Sequence, residues 1–174
     1  MKDGARAFLL EGDRPASVLE RLNMLAWRSM PVERFATAFL GVLDVSTGAL
    51  SYAGAGHPPA LVLGPEGVTR LPSSAGVLGA WEALRLRSPE CVLAQGEVLV
   101  MYTDGVTEAR RGKEFFGEER LVTALEGCRA TPVADLPQAL LDVVLDYSGG
   151  SLRDDIVILC IARTAASGTS SASE

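Results

Sequence analysis

The sequence predicts an α+β fold in which antiparallel sheets are covered by helices. The first thirty residues and the stretch between residues 118 and 147 show helical periodicity. Between them lie short apolar strands joined by turns that contain Gly and Pro, and one more apolar strand follows the last helix. Strands joined by such short turns pair antiparallel, because a parallel pair needs a long crossover connection.

The N-terminal region is predicted to contain two helices separated by a break at Gly12–Pro15. Asp13 is expected to cap the second helix, and Pro15 is expected to occupy its first turn. Apolar residues recur in the second helix at a spacing of three to four, which predicts a face directed at the core. This stripe consists of Val18, Leu19, Leu22, Leu25 and Ala26.

Two hairpins are predicted next. Phe35–Asp44 and Ala49–Ala53 are joined by a loop that contains Gly48. Ala60–Leu63 and Val68–Leu71 flank a Gly-Pro-Glu-Gly turn.

The second half of the chain is predicted to contain a short strand, a buried strand, two helices and a final buried strand. In chain order these are Leu84–Arg87, Glu97–Tyr102, Glu118–Glu126, Val133–Tyr147 and Ile156–Ile161. The remaining residues, 164–174, are mostly Ala, Ser, Gly and Thr and are expected to form a disordered tail.

Composition limits the classes of function. The chain has 174 residues, is 48% hydrophobic and carries a net charge of −6, which indicates a single folded domain without nucleic-acid or anionic-membrane partners. Its three cysteines form no Cys-x-x-Cys pair, and no apolar stretch reaches the ~20 residues of a membrane span. We therefore expect a cytoplasmic protein with reduced thiols. Since His57 is the single histidine, any metal site must use carboxylates, which favour Mg²⁺ or Mn²⁺.

Acidic residues stand at the ends of the two most apolar strands. Asp104 follows Glu97–Tyr102, and Asp154 and Asp155 precede Ile156–Ile161. If these strands are antiparallel neighbours, the carboxylates share one edge of the sheet and could hold a divalent cation. An Asp-Gly turn and a solvated Asp-Asp loop would produce the same residues, so the pattern leaves both interpretations open.

His57 lies in the segment Ala53-Gly-Ala-Gly-His-Pro-Pro59, where Gly and Pro indicate a fixed, unusual backbone path. The residues favour a structural histidine over a catalytic base. The segment is not a dinucleotide fingerprint, because prolines replace the helix that would begin there. The sequence also contains no G-x-S-x-G and no Walker lysine motif.

Several motifs in order give the chain a resemblance to a known family. They are Phe35–Asp44, Thr47-Gly48, Tyr52–Pro59, Leu99-Val-Met-Tyr-Thr-Asp-Gly-Val-Thr-Glu-Ala109, Phe115-Phe-Gly117 and Asp154-Asp-Ile156. From about residue 15 to residue 162 the sequence resembles the SpoIIE-type branch of the metal-dependent PPM, or type 2C, protein phosphatases.

This resemblance implies an α-β-β-α sandwich of two antiparallel sheets with a two-metal centre, Mn²⁺ or Mg²⁺, at one end. Such a centre activates water to attack phosphoserine or phosphothreonine directly. By similarity Asp104 and Asp154 are metal ligands, Asp155 is a weaker neighbour, Gly105 lets the chain turn away beside the ion, and His57 is structural.

One motif of the family is missing. The Asp-x-x-Gly-x-Gly segment that supplies the bridging aspartate does not occur in this sequence. We therefore expect residues 1–163 to form a partial domain that lacks its first strands, with weak metal binding and exposed sheet edges that favour homo-oligomers.

The resemblance implies a phosphorylated regulatory protein of the STAS, or anti-anti-sigma factor, type as substrate. A catalytically impaired module that keeps the partner surface is the alternative from another functional class. A phosphatase that acts on small phosphomonoesters would share the same chemistry.

Overall fold

The computed structural model describes residues 2–31, 33–74 and 76–164, so the predicted tail beyond Thr164 lies outside the described residues. The helices are α1 (Lys2–Leu10), α2 (Pro15–Ser29), α3 (Asp104–Thr107), α4 (Gly117–Gly127) and α5 (Leu136–Ser148). The strands are β1 (Ala38–Leu43), β2 (Ala49–Ala55), β3 (Ala60–Gly64), β4 (Gly67–Leu71), β5 (Glu90–Val92), β6 (Val98–Tyr102), β7 (Arg110–Arg111), β8 (Glu114–Phe115) and β9 (Ile158–Ala162).

The two N-terminal helices form as predicted, but the capping residue differs. Pro15 is the first residue of α2, where its fixed φ suits the helix and its missing N–H costs nothing. Arg14, not Asp13, occupies the N-cap position and makes no side-chain capping bond. The Asp13 carboxylate instead accepts a hydrogen bond from Arg21. The helix begins at Pro15, so Asp13 lies one residue before the N-cap position.

Both predicted hairpins are confirmed. Strands β1 and β2 pair antiparallel across a turn in which Gly48 has a φ of +80°, and β3 pairs with β4 across Gly64 and Gly67. The two main sheets have the strand orders β1-β2-β5 and β4-β3-β6-β9, and all their neighbours are antiparallel. The predicted α+β class is therefore correct.

The predicted strand Leu84–Arg87 is wrong. These residues are irregular, and the backbone amide of Leu86 donates to the Glu20 carboxylate of α2 at 2.8 Å instead of entering a sheet. Leu84 and Leu86 pack on the core beneath α2. Strand β5 begins four residues after Leu86, at Glu90, and pairs with β2. The alternating leucines thus cover a helix rather than line a sheet.

Three buried clusters define four layers. Helix α2 packs on the outer face of β2 through small residues such as Ala53 and Ala55. The opposite faces of the two sheets meet in a second cluster that includes Leu50, Val62 and Leu99. A third cluster lies between the β3–β6 face and the helices α3, α4 and α5. This is the α-β-β-α sandwich that the resemblance implied.

Strands β1 and β9 lie at sheet edges, since within the described residues β1 pairs with β2 alone and β9 with β6 alone. Apolar side chains on and beside these strands are exposed, namely Val42 at 44%, Val157 at 58% and Leu159 at 49%. Exposed edges of this kind can accept a further strand. No helix in the described part of the chain is long and apolar enough to cross a membrane.

Candidate metal and phosphate site

The site lies where β6 ends and β9 begins. These strands are antiparallel neighbours, with Tyr102 opposite Ile158 and Val98 opposite Ala162. Asp104 follows β6 as the first residue of α3, and Asp154 and Asp155 precede β9. The structure therefore brings the predicted acidic segments to one edge of the sheet, as the antiparallel arrangement requires.

Thr103 joins the two segments. Its hydroxyl donates to the carbonyl oxygen of Asp155 at 3.0 Å and accepts a bond from the amide of Val157 at 3.0 Å. Its own amide donates to the carbonyl of Val157 at 3.1 Å. Three hydrogen bonds from one residue thus hold the loop of Asp154 and Asp155 beside the start of α3.

Gly105 has a role different from the predicted one. It does not have a positive φ, so the turn itself does not require glycine. Instead, a Cβ atom at this position would lie 2.5 Å from the carbonyl oxygen of Asp155 and 3.1 Å from its carbonyl carbon. Glycine is needed because the two backbones approach more closely than any side chain allows.

The aspartates present oxygen atoms to solvent. Asp104 and Asp154 are exposed, and each carboxylate accepts a hydrogen bond from the following amide, at 3.1 Å from Gly105 and 2.8 Å from Asp155. Carboxylate oxygens suit hard cations such as Mg²⁺ and Mn²⁺. However, within residues 2–31, 33–74 and 76–164 no group of three or more His, Cys, Asp or Glu side chains could hold a metal ion. The donor type fits a divalent cation, but the number of ligands is short of a complete site.

A cavity of about 200 Å³ opens beside these aspartates. It is lined by residues that follow Asp104 along the chain and by the segment before β9, which are Gly105, Glu108, Ala109, Arg110, Arg153 and Asp154. The cavity therefore joins one candidate metal ligand with two guanidinium groups.

His57 does not line the cavity that Asp154 borders. Its Nδ1 is 3.0 Å from the carbonyl oxygen of Pro58, and its ring centroid is 6.2 Å from that of Phe39. It lines a cavity of about 230 Å³ together with Thr103, among others, and neither Asp104 nor Asp154 borders that cavity. The hydrogen bond to the adjacent backbone and the aromatic neighbour agree with a structural role.

Three groups, Cys160, Tyr102 and Asp44, have shifted pKa values with purely structural causes. Burial raises the pKa of the Cys160 thiol to about 11, so it is protonated at neutral pH and is neither a nucleophile nor a thiolate ligand. Burial, with a smaller contribution from Glu118, also raises the pKa of Tyr102. A strongly lowered carboxylate pKa occurs at Asp44, about 2, caused by hydrogen bonds from Ser46 and Thr47 in the β1–β2 turn. That shift marks a turn rather than a functional site.

The sequence predicts the aspartates as site residues but not their neighbours. Thr103, Arg110 and Arg153 were not predicted as site residues. The signal that could have found them is proximity along the chain, because each lies within six residues of Asp104 or Asp154. Their convergence in space depends on the pairing of β6 with β9.

Comparison with protein families gives a match along nearly the whole chain. Residues 1–164 match the family described as Stage II sporulation protein E (SpoIIE). Protein IcfG of Synechocystis sp. is 38% identical over 136 residues, which cover 74% of this chain and 21% of IcfG. The phosphoserine phosphatase RsbU of Bacillus subtilis is 25% identical over 154 residues, which cover 87% of this chain and 46% of RsbU. The chain thus spans less than half the length of either curated relative.

Among solved structures, the SiaA-PP2C domain of Pseudomonas aeruginosa is similar to this chain. The two share 26% sequence identity with a TM-score of 0.77, and the match covers 92% of this chain and 67% of that domain. The sandwich described above is therefore the fold of a PP2C-type phosphatase domain.

Proposed function

Since the chain belongs to the SpoIIE family, we propose that it hydrolyses phosphoserine or phosphothreonine on a regulatory protein with the help of a divalent cation. The observation that carries the proposal is the position of Asp104 and Asp154 at the joined ends of β6 and β9. RsbU, a relative 25% identical to this chain, is a phosphoserine phosphatase. For this chain we propose a substrate of the STAS type.

The proposed cation is Mn²⁺ or Mg²⁺, held by Asp104 and Asp154 with Asp155 as a weaker neighbour. When bound, such a cation lowers the pKa of a water molecule and offsets the charge of a phosphoryl group. The chain's own contribution is geometric. Thr103 joins the two aspartate segments by hydrogen bonds, and the missing side chain of Gly105 leaves room for the Asp155 carbonyl group. His57 is proposed to fix the loop that follows β2.

We further propose that the described residues form part of a domain whose remaining strands pair with β1 and β9. The exposed apolar residues Val42, Val157 and Leu159 on and beside the edge strands support this. A further carboxylate delivered by such a strand would complete the metal site, in the way the family's bridging aspartate does. On its own, this chain is then expected to bind metal weakly and to hydrolyse the phosphorylated substrate slowly.

A second candidate function is a binding module that recognises the phosphoprotein without hydrolysing it. The observation that favours it is the number of acidic ligands, since no three of them cluster in the part of the chain that the structure describes. The two candidates share a partner and differ in turnover.

A phosphatase assay separates them. The chain is incubated with Mn²⁺ or Mg²⁺ and a phosphoserine protein, and released phosphate is measured for the wild type, Asp104→Asn and Asp154→Asn. Asp135→Asn is the matched control, because Asp135 is exposed and its side chain makes no capping bond to α5. Turnover that both site variants abolish and the control retains supports the phosphatase. Phosphate-dependent binding with no turnover, in this chain and in one extended upstream, supports the binding module. A small aryl phosphate, tested in parallel, distinguishes a general phosphomonoesterase.

A further inference from the structure

We propose that Arg110 and Arg153 bind the phosphoryl group of the phosphorylated substrate, in the cavity that they share with Asp154. This inference rests on the proposed function, because it names the residues that would hold the substrate of that reaction. It assigns Arg110 and Arg153 a role that the sequence analysis did not foresee.

Arg110 and Arg153 line the same small cavity. The cavity of about 200 Å³ is lined by Arg110 from β7 and by Arg153 from the loop before β9, together with Gly105 and Asp154. Its volume is below the roughly 300–1,000 Å³ of pockets that enclose drug-sized ligands, so it suits a group the size of a phosphorylated side chain. A phosphoryl group placed there lies directly beside a candidate metal ligand.

An aromatic ring orients the Arg110 guanidinium, and no carboxylate neutralises its charge. It stands opposite Phe115 in the β7–β8 hairpin, and its Cζ lies 4.0 Å from the centre of the Phe115 ring. Stacking on the ring restricts the planar guanidinium while leaving its N–H donors available. Across the described residues, neither Arg110 nor Arg153 lies within 4.0 Å of a carboxylate oxygen.

Other arginines in the same region are already engaged. Arg111 donates from Nε to the carbonyl of Tyr147 at 2.9 Å, and Arg120 forms an ion pair with Glu114. Arg70 forms ion pairs with two glutamates of α4. These three guanidinium groups already have hydrogen-bond or ion-pair partners, whereas in the described part of the chain no carboxylate oxygen lies within 4.0 Å of Arg110 or Arg153.

Charge and geometry favour a phosphoryl ligand. The lining contains two guanidinium groups and two carboxylates, those of Glu108 and Asp154, so its formal charge is zero. A divalent cation on Asp154 would make the cavity positive, which suits a dianion. Arginine binds phosphate through two parallel hydrogen bonds that lysine cannot reproduce. The two guanidinium groups would therefore both donate hydrogen bonds to the phosphoryl oxygens.

Two readouts test the inference. One is kcat and KM for a phosphoserine protein with Mn²⁺. The other is binding of a fluorescent peptide that carries a non-hydrolysable phosphonate analogue of phosphoserine, and of its serine counterpart, measured by anisotropy in the presence of Mn²⁺. The variants are Arg110→Gln, Arg110→Lys and Arg153→Gln. Arg85→Gln is the charge-matched control, because the Arg85 side chain is 91% exposed and lies outside the cavity.

We expect each Gln variant to weaken phosphopeptide binding and to lower kcat/KM about ten- to hundredfold, since bonds to charged groups contribute ~1.5–3 kcal/mol. The loss should appear mainly in KM. Binding of the unphosphorylated peptide should not change, and Arg110→Lys should recover only part of the loss. Thermal melts identify any variant that fails to fold, and Arg110→Lys then serves as the test.

The outcomes separate this inference from the proposed function. If the wild type turns over normally and both Gln variants have a kcat/KM within twofold of that of Arg85→Gln, the inference is overturned. The proposed phosphatase activity is then unaffected. Phosphate-selective binding that depends on the arginines, without turnover in this chain or in one extended upstream, supports the inference and overturns the phosphatase. Absence of both turnover and phosphate-selective binding in both chains overturns both.

Discussion

Replacement of Gly105 by alanine tests the close contact between the two halves of the candidate site. The added Cβ would lie 2.5 Å from the carbonyl oxygen of Asp155, and an ordinary contact begins at 3.4 Å. The segment before β9 must therefore move away from α3 by about 0.9 Å. Because this carbonyl also accepts the Thr103 hydroxyl at 3.0 Å, the same movement breaks that hydrogen bond.

The expected cost follows from these two effects. Overpacking costs ~1–3 kcal/mol, and the lost hydrogen bond adds ~1 kcal/mol. A total near 3 kcal/mol lowers the melting temperature by roughly 6–12 °C in a chain of this size. The aspartates also shift relative to each other, and a displacement near 1 Å can lower activity about 100-fold.

Thermal unfolding and phosphatase assays measure the two consequences. Gly127→Ala is the matched control, since Gly127 ends α4 and a Cβ there meets nothing within 4 Å. We expect this control to be stabilised by up to ~1 kcal/mol, because alanine is the better helix former. If Gly105→Ala melts within 2 °C of the wild type, the close contact is not present and the reasoning is refuted.

Three further predictions concern the same edge of the sheet and one distant turn. Thr103→Val should lower the free energy of unfolding, measured by urea denaturation, by ~1–2 kcal/mol because it removes the hydroxyl that joins the two segments. The control Thr69→Val, on the exposed edge strand β4, should cause no such loss, and equal losses in the two variants would contradict the bridging role of Thr103. Titration calorimetry should show at most one Mn²⁺ site, of weak affinity and lost in Asp104→Asn; two tight sites would disprove the incomplete centre. The pKa of Asp44 is lowered to about 2 by Ser46, so its contribution to stability is complete above about pH 4 and is lost as the pH falls towards 2. Asp44→Asn should therefore reduce the acid sensitivity of folding in that range, and parallel stability curves would contradict this.

Local chemistry explains which elements were predictable. The β1–β2 turn needs a residue with positive φ, and Gly48 supplies it within the turn itself. Strand β6 is a continuous apolar run because one face meets the other sheet and the opposite face meets α4 and α5. Such signals are contained in neighbouring residues, so they can be read without knowledge of the rest of the fold.

The errors arose where a distant residue decided the local structure. Asp13 does not cap α2, since Arg14 occupies the N-cap position, and the Asp13 carboxylate binds Arg21 in the second turn of the helix. Leu84–Arg87 is not a strand because Glu20 takes the amide of Leu86. In both cases a charged side chain competed for a group that local rules assign elsewhere.

The sequence by itself determined that an acidic residue stands at each of two strand ends and that the family's bridging motif is missing from residues 1–174. Tertiary structure alone decided how these ends meet. The pairing of β6 with β9 places Thr103 against the segment after Asp154, and it brings Arg110 and Arg153 to one cavity. The physical reason is that strand pairing joins residues about sixty positions apart through hydrogen bonds between backbone groups, and these groups are the same for every sequence. Which side chains converge is therefore set by register and not by local composition.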